Sequence, residues 1–201
     1  MVLHVIETTH ALTLIELQRL KRLDRTGWIL RGLANGTESV AAHSFGVATT
    51  AMLLADEIRA RGTAVDLETL LRMALLHDWA ETRIGDMPKT AVTYFGSEVR
   101  REAELAAFAD IVAGTSSGGA DYCRLYEEYE RRTTIEAKIV KAADVIDLLV
   151  QALAIERSGA RGLDEFWEVA QDGDFQLEGT PHEVVQEILA ALIDARARLE
   201  R

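Results

Sequence analysis

The chain has 201 residues, 48% of them hydrophobic, enough to bury a sizeable core within one domain. Its net charge of −11 argues against a general nucleic-acid or membrane-surface binder. A small anionic substrate would therefore need a locally positive or metal-bearing pocket. Only two prolines interrupt the long apolar-periodic runs, and the expectation is an all-α helical bundle forming a single domain over residues 1–201.

Taken in chain order, residues 9–23 predict an amphipathic helix with Leu12, Ile15, Leu17, Leu20 and Leu23 as its apolar set. The segment from Asp24 to Trp28 and the stretch Gly32 to Gly36 read as loop. A second helix is expected from Ser39, a plausible N-cap, to Arg61, stopped by Gly62. A third runs from about Asp66 to Arg83, and Gly85 to Lys89 is a turn. Further helices are expected over 97–113, 122–131, 134–157, 163–171 and 181–200, with a glycine-rich flexible loop at 114–119. The 134–157 helix is apolar nearly all round and should be buried. Its core, 137–155, carries Lys138, Lys141, Asp144 and Asp147, too many charges for a membrane span. The first residues are too acidic and their apolar run too short for a signal peptide. Cys123 is the single cysteine, so no disulfide can form within the chain and a cytoplasmic setting is expected. Its acidic, aromatic surroundings favour a structural role over a nucleophilic one.

The chemistry begins at His77-Asp78. On a wheel of about 100° per residue with Leu67 at zero, Leu70, Leu71, Ala74 and Leu75 define an apolar arc. Asp78 falls near ~20°, Glu81 near ~320° and His77 near ~280°, inside or beside that arc. Burying an imidazole beside a carboxylate is costly unless something pairs with them. His43 repeats the anomaly, aligned with Val47, Thr50, Ala51, Leu54 and Ile58. Asp144 does so within Val140-Lys-Ala-Ala-Asp-Val-Ile. Taken singly, His43 reads as a core histidine and Asp144 as the partner of Lys141. Taken together, two histidines and two aspartates make a mixed N/O set suited to Mn²⁺, Co²⁺, Fe²⁺ or Zn²⁺.

His43, His77-Asp78 and Asp144, in that order, are identified as the signature of HD-domain phosphohydrolases. Further segments narrow the match: Leu20-Lys-Arg-Leu-Asp-Arg-Thr-Gly-Trp28, Glu38-Ser-Val-Ala-Ala-His43, Leu76-His-Asp-Trp-Ala-Glu81, Gly85-Asp-Met-Pro88 and Val140-Lys-Ala-Ala-Asp144. Over about residues 12–155 the chain resembles the 5′-deoxynucleotidase family. The resemblance implies a homodimer that hydrolyses deoxyribonucleoside 5′-monophosphates with one divalent cation per chain, Co²⁺ or Mn²⁺ before Fe²⁺, Ni²⁺, Zn²⁺ or Mg²⁺. By position it implies His43, His77, Asp78 and Asp144 as metal ligands and Arg25 as the arginine that orients the phosphate. Trp28 would pack on the deoxyribose, Glu81 would be the acid beside the metal, and Asp86, Lys89 and Thr90 would contact substrate. Glu81 could orient or deprotonate water, or protonate the leaving oxygen.

The sequence departs from the family in places. Two residues separate Arg25 from Trp28, which are adjacent in the bacterial enzyme. The 89–92 loop is one residue longer, and Ala42 stands where relatives often carry an acid. Alternatives are an HD phosphohydrolase acting on nucleoside triphosphates and a non-catalytic nucleotide-binding HD protein. None of the five histidines lies between 77 and 144, which argues against two-metal relatives such as di-iron oxygenases and cyclic-dinucleotide phosphodiesterases. Neither a nucleic-acid polymer nor a membrane is expected as a partner.

Overall fold

Helical hydrogen bonding follows the apolar periodicity through most of the chain in a computed structural model that describes residues 2–115, 118–172 and 175–199. The helices are α1 (Val2–Leu17), α2 (Thr26–Ile29), α3 (Val40–Ala60), α4 (Leu67–Leu76), α5 (Glu81–Ile84), α6 (Lys89–Phe95), α7 (Ser97–Val112), α8 (Gly119–Arg131), α9 (Ile135–Arg157), α10 (Asp164–Asp172) and α11 (Gly179–Ala197). A 3₁₀ turn, Gln18–Lys21, follows α1. Among the described residues the only β pairing recorded is an isolated antiparallel bridge between Asp24 and Ser39. The all-α expectation holds.

The residues group into two compact units, 1–44 with 75–131 and 45–74 with 132–201. Each is assembled from separate chain segments. Two of the boundaries fall inside α3 and α4, so no linker composition marks them.

In the first unit α7 packs on α8, and Phe108 stacks on Tyr126 with ring centroids 4.0 Å apart and planes 8° from parallel. Trp79 lies beside Phe108 at 6.2 Å. Thr13 Oγ1 donates to the Ile111 carbonyl at 3.3 Å and ties α1 to α7. Here the expected apolar set holds only in part. Leu12 and Ile15 are 61% and 67% exposed, while Thr13 and Leu20 are buried. The chain also tightens into the 3₁₀ turn after Leu17, so a single α-helical wheel does not describe residues 9–23.

In the second unit α9 packs against α10 and α11 and is buried at Ala137, Ile139, Val140, Ala142, Ala143, Ile146, Leu149 and Ala152, as its composition predicts. Thr134 caps it, its Oγ1 accepting from Ala137 N at 3.2 Å. Gly46 on α3 faces Asp147 on α9 so closely that an ideal Cβ would lie 2.0 Å from Asp147 Oδ1. Around Trp167 the guanidinium of Arg196 sits 4.9 Å from the ring centroid and pairs with Glu156 and Asp164.

The third expected helix is two elements. α4 ends at Leu76, and from there Trp79 N bonds Leu76 O, Glu81 N bonds Asp78 O and Thr82 N bonds Trp79 O. These i→i−3 bonds tighten the chain and shift every later side chain from its place on an ideal wheel. Leu75, placed in the apolar arc, is 51% exposed. Short helices α2 and α6 appear where loop was expected. Neither is long enough to show a period. Helices α3, α7, α8, α9, α10 and α11 agree with expectation to within about three residues at each end, the usual uncertainty of such boundaries. In the 114–119 loop, Ser116 and Ser117 lie outside the described residues, as does Glu200 at the end of the last expected helix.

Candidate metal centre

Ser39 sets the start of α3, its Oγ accepting from Ala42 N at 3.1 Å, and this fixes His43 in the first turn. His43 is 1% exposed. His77 lies just past the end of α4, its ring centroid 5.4 Å from that of His43 and 5.7 Å from that of Tyr129. Asp78 follows in the tightened turn. Its Oδ2 lies 3.1 Å from His77 Nε2 and 3.7 Å from His43 Nε2. One ligand atom from each of His43, His77 and Asp78 falls within 4.8 Å of the others. The break in the helix after Leu76, which the periodicity did not predict, is therefore what presents two adjacent residues to one point.

Arg25 approaches the same carboxylate, Nη1 lying 3.5 Å from Asp78 Oδ2 and 3.7 Å from Asp86 Oδ1. Asp86 in turn accepts from Thr26 N at 2.5 Å through Oδ2, and its backbone carbonyl accepts from Thr26 Oγ1 at 2.7 Å. The loop before α2 and the loop after α5 are thus stitched together around Arg25. Glu81 opens α5 and is buried; its Oε2, like Asp78 Oδ2, accepts no hydrogen bond.

The electrostatics divide the two acids. Burial opposes ionisation of Asp78, but His77, with His43 and Arg25, overcomes it and holds the carboxyl well below the usual carboxylate range. Burial raises Glu81, and Asp78 and Asp86 raise it further, with Arg25 and Arg100 opposing. An ionised aspartate beside two imidazoles is the donor set a divalent first-row ion takes, and carboxylate oxygens buried without hydrogen bonds are what such an ion would satisfy. The residues present fit a metal.

A profile of the HD domain family matches residues 17–173. This chain belongs to the HD-domain family. The match takes in residues of both units. Among curated proteins, the HD-domain chain is 32% identical over 184 residues to the zebrafish (Danio rerio) protein named 5′-deoxynucleotidase HDDC2, covering 90% of this chain and 84% of that one. It is 30% identical over 155 residues to 5′-deoxynucleotidase YGK1 of Saccharomyces cerevisiae, covering 75% and 69%. Among solved structures, a conserved hypothetical protein from Pyrococcus furiosus superposes with a TM-score of 0.79 at 36% identity, covering 90% of this chain and 98% of that one.

Of the expected site residues of this HD-domain protein, Arg25, His43, His77, Asp78, Glu81 and Asp86 come together in the first unit. Trp28 is in the same unit but is only 1% exposed, and its Nε1 donates to Glu38 Oε2 at 2.6 Å. Lys89 and Thr90 are exposed on the first turn of α6. Asp144 belongs to the second unit, on α9, where Lys141 Nζ donates to its Oδ2 at 2.6 Å. Burial, reinforced by Glu127, raises the pKa of the Cys123 thiol, in keeping with a structural role.

Sequence reasoning missed Thr26, Glu38, Tyr129 and Arg100. Thr26 and Glu38 lay inside the quoted motifs, which was a signal. Tyr129 carried none. Arg100 and Glu104 stand four apart on α7 and were legible as a helical pair. Arg100 Nε donates to the buried Glu104 Oε1 at 2.6 Å, and only the fold brings that pair within electrostatic reach of Glu81.

Proposed function

We propose that the chain is a divalent-metal-dependent phosphomonoesterase that cleaves deoxyribonucleoside 5′-monophosphates to deoxynucleoside and phosphate. The observation that carries this reading is the convergence of His43, His77 and Asp78 within 4.8 Å, with Arg25 and Glu81 at its edge. His43, His77 and Asp78 would hold the ion, and Asp144 joins them on the strength of the sequence motif. A bound Mn²⁺ or Co²⁺, one per chain, supplies Lewis acidity toward the phosphoryl group and acidifies water.

The remaining work falls to side chains. Arg25 offers a guanidinium to the phosphate oxygens, a contact for which its fork is suited. Its present neighbours, Asp78 and Asp86, hold it in place. Glu81, which holds its proton more tightly than an ordinary glutamate, delivers that proton to the 5′-oxygen as the P–O bond breaks and water adds to phosphorus. Asp86 contributes by holding Thr26 and Arg25. Lys89 and Thr90, exposed on α6, are proposed to reach the nucleotide. Trp28, expected against the sugar, is proposed to back the loop that carries Arg25, with its part in sugar choice read from Trp28→Phe on deoxyribo- and ribonucleotides.

Phosphate release from a panel of deoxyribo- and ribonucleoside mono- and triphosphates, with Co²⁺, Mn²⁺, Ni²⁺ or Mg²⁺ added, tests the proposal. Turnover of deoxyribonucleoside monophosphates above the others supports it. Preference for triphosphates would replace the substrate, and no release with any metal would favour a nucleotide-binding role. We also propose a homodimer, as the family resemblance implies, to be measured by light scattering. A cytoplasmic setting is proposed from the lone thiol, Cys123. No helix among the described residues is long and apolar enough to cross a membrane.

A further inference from the structure

Residues 25–38 form a loop closed on itself by one residue. At its neck Asp24 bridges Ser39, Arg25 N donates to Glu38 O at 3.0 Å, and Val40 N donates to Leu23 O at 2.8 Å. Within the loop, Trp28 Nε1 donates to Glu38 Oε2 at 2.6 Å. Glu38 therefore grips the Arg25 limb twice, through its main chain at Arg25 and through its carboxylate at Trp28. Both side chains are withdrawn from water, Trp28 at 1% and Glu38 at 9% exposure.

Elsewhere the loop is held by Thr26 on Asp86 and by local contacts, Gly36 N donating to Asp24 Oδ2 at 3.2 Å and Thr37 Oγ1 to Ala34 O at 2.6 Å. After α2 the chain passes Gly32 and Gly36 with φ of 79° and 82°, and no helix forms between Leu30 and Ser39. A buried carboxylate is costly unless its hydrogen bonds are made, and a charged acceptor makes a shorter and stronger bond than a neutral one. A strong, directional contact thus ties Trp28 to the last residue of the loop, and the arginine that faces Asp78 and Asp86 sits three residues before Trp28, at the loop's first residue. Misplacement of such a group by an ångström is enough to cost a large part of its effect on a bound anion.

We propose that Glu38 is a positioning residue for anion recognition: by clasping Trp28 and the Arg25 main chain it fixes the Arg25 guanidinium at the metal centre. The proposal rests on reading Arg25 as the phosphate-binding group. Glu38 itself does not touch the phosphate.

The test is the dissociation constant of inorganic phosphate, measured by calorimetry with Mn²⁺ present, for wild type, Arg25→Ala, Glu38→Ala, Glu38→Gln and the double variant Arg25→Ala/Glu38→Ala. The indole ¹H–¹⁵N resonance of Trp28, assigned with Trp28→Phe, is followed in parallel. Glu38→Ala should weaken phosphate about tenfold, the scale of one lost hydrogen bond to a charged group, and should move the Trp28 resonance. Glu38→Gln, whose amide oxygen can still accept, should stay within about threefold of wild type. The double variant should bind no more weakly than Arg25→Ala alone, because Glu38 acts through Arg25. If Glu38→Ala fails to fold, Trp28→Phe removes the donor while keeping an aromatic, if smaller, side chain, and should weaken phosphate in the same non-additive way. Additive losses, an unmoved indole resonance or an unchanged phosphate constant in Glu38→Ala would overturn the proposal. An unchanged constant in Arg25→Ala would overturn both it and the phosphate role of Arg25. Absence of nucleotide turnover in wild type would strike the proposed activity alone, since phosphate binding and the resonance are read without it.

Discussion

Gly46 stands where α3 comes up against α9, and Gly46→Ala should break that approach. A Cβ at Gly46 would lie 2.0 Å from Asp147 Oδ1, 2.6 Å from its Cγ and 2.8 Å from its Oδ2. The shortest of these is about 1.4 Å inside the 3.4 Å at which ordinary contact begins. All three carboxylate atoms are below 3.0 Å, so a small rotamer adjustment relieves one clash while leaving another. Either Asp147 swings out and gives up its present interactions, or the helices part locally. Overpacking of this kind costs about 1–3 kcal/mol, and the better helix propensity of alanine returns at most about 1. A net loss of about 1–2 kcal/mol should lower Tm by roughly 2–8 °C for a chain of this size. His43 lies three residues earlier on the same helix. Metal–ligand distances tolerate only about ±0.2 Å, so Mn²⁺ affinity should fall as well. Thermal unfolding followed by circular dichroism and metal titration would measure both. Gly46→Ala/Asp147→Ala should recover most of the stability. A Gly46→Ala protein as stable as wild type, or more so, would show that the carboxylate moves aside at no cost and that the close approach is incidental.

Thr26→Val removes the hydroxyl that bonds the Asp86 carbonyl and keeps the side chain's shape; it should cost about 1 kcal/mol of stability and raise KM for the nucleotide, with Thr26→Ser restoring both in steady-state assays. Glu81 has its pKa raised in the folded protein by burial and by Asp78 and Asp86, so the metal-free fold loses stability as pH rises above about 4.5, up to the folded pKa. Glu81→Gln should therefore be more stable than wild type at pH 7 in EDTA, by up to about 1.4 kcal/mol for each pH unit crossed, and equal to it near pH 4; urea midpoints across pH 4–8 decide the sign. The same variant should retain Mn²⁺ and lose turnover. Saturating Mn²⁺ at about 100 times its dissociation constant should stabilise wild type by about 2.7 kcal/mol, and His77→Asn should abolish that gain in a thermal-shift series. Thr134→Ala should cost about 1 kcal/mol by removing the cap of α9, without changing the sugar preference of the enzyme.

The sequence by itself determined the helical class, because its apolar runs are long, as at 135–157, and carry almost no proline and no strand-like alternation. It also determined the chemistry of the centre. Taken together, His43, His77, Asp78 and Asp144 are a mixed N/O donor set suited to a first-row divalent ion, although each taken singly reads as an ordinary core residue or ion-pair partner. What it could not convey is how the chain bends between helices. The wheel carried α4 straight through His77, whereas the i→i−3 bonds after Leu76 re-aim the pair, a local choice set by packing rather than by propensity. Nor could periodicity distinguish Leu12 and Ile15, which are exposed, from Leu20, which is buried, since burial depends on what other segments bring to each face. The Arg25–Thr26–Asp86 stitch joins residues 60 apart in the chain. The clasp of Glu38 on Trp28 depends on the path of the loop between them. Such contacts leave no period, and only tertiary structure turns a row of motifs into an arginine, a buried acid and three candidate ligands at one place.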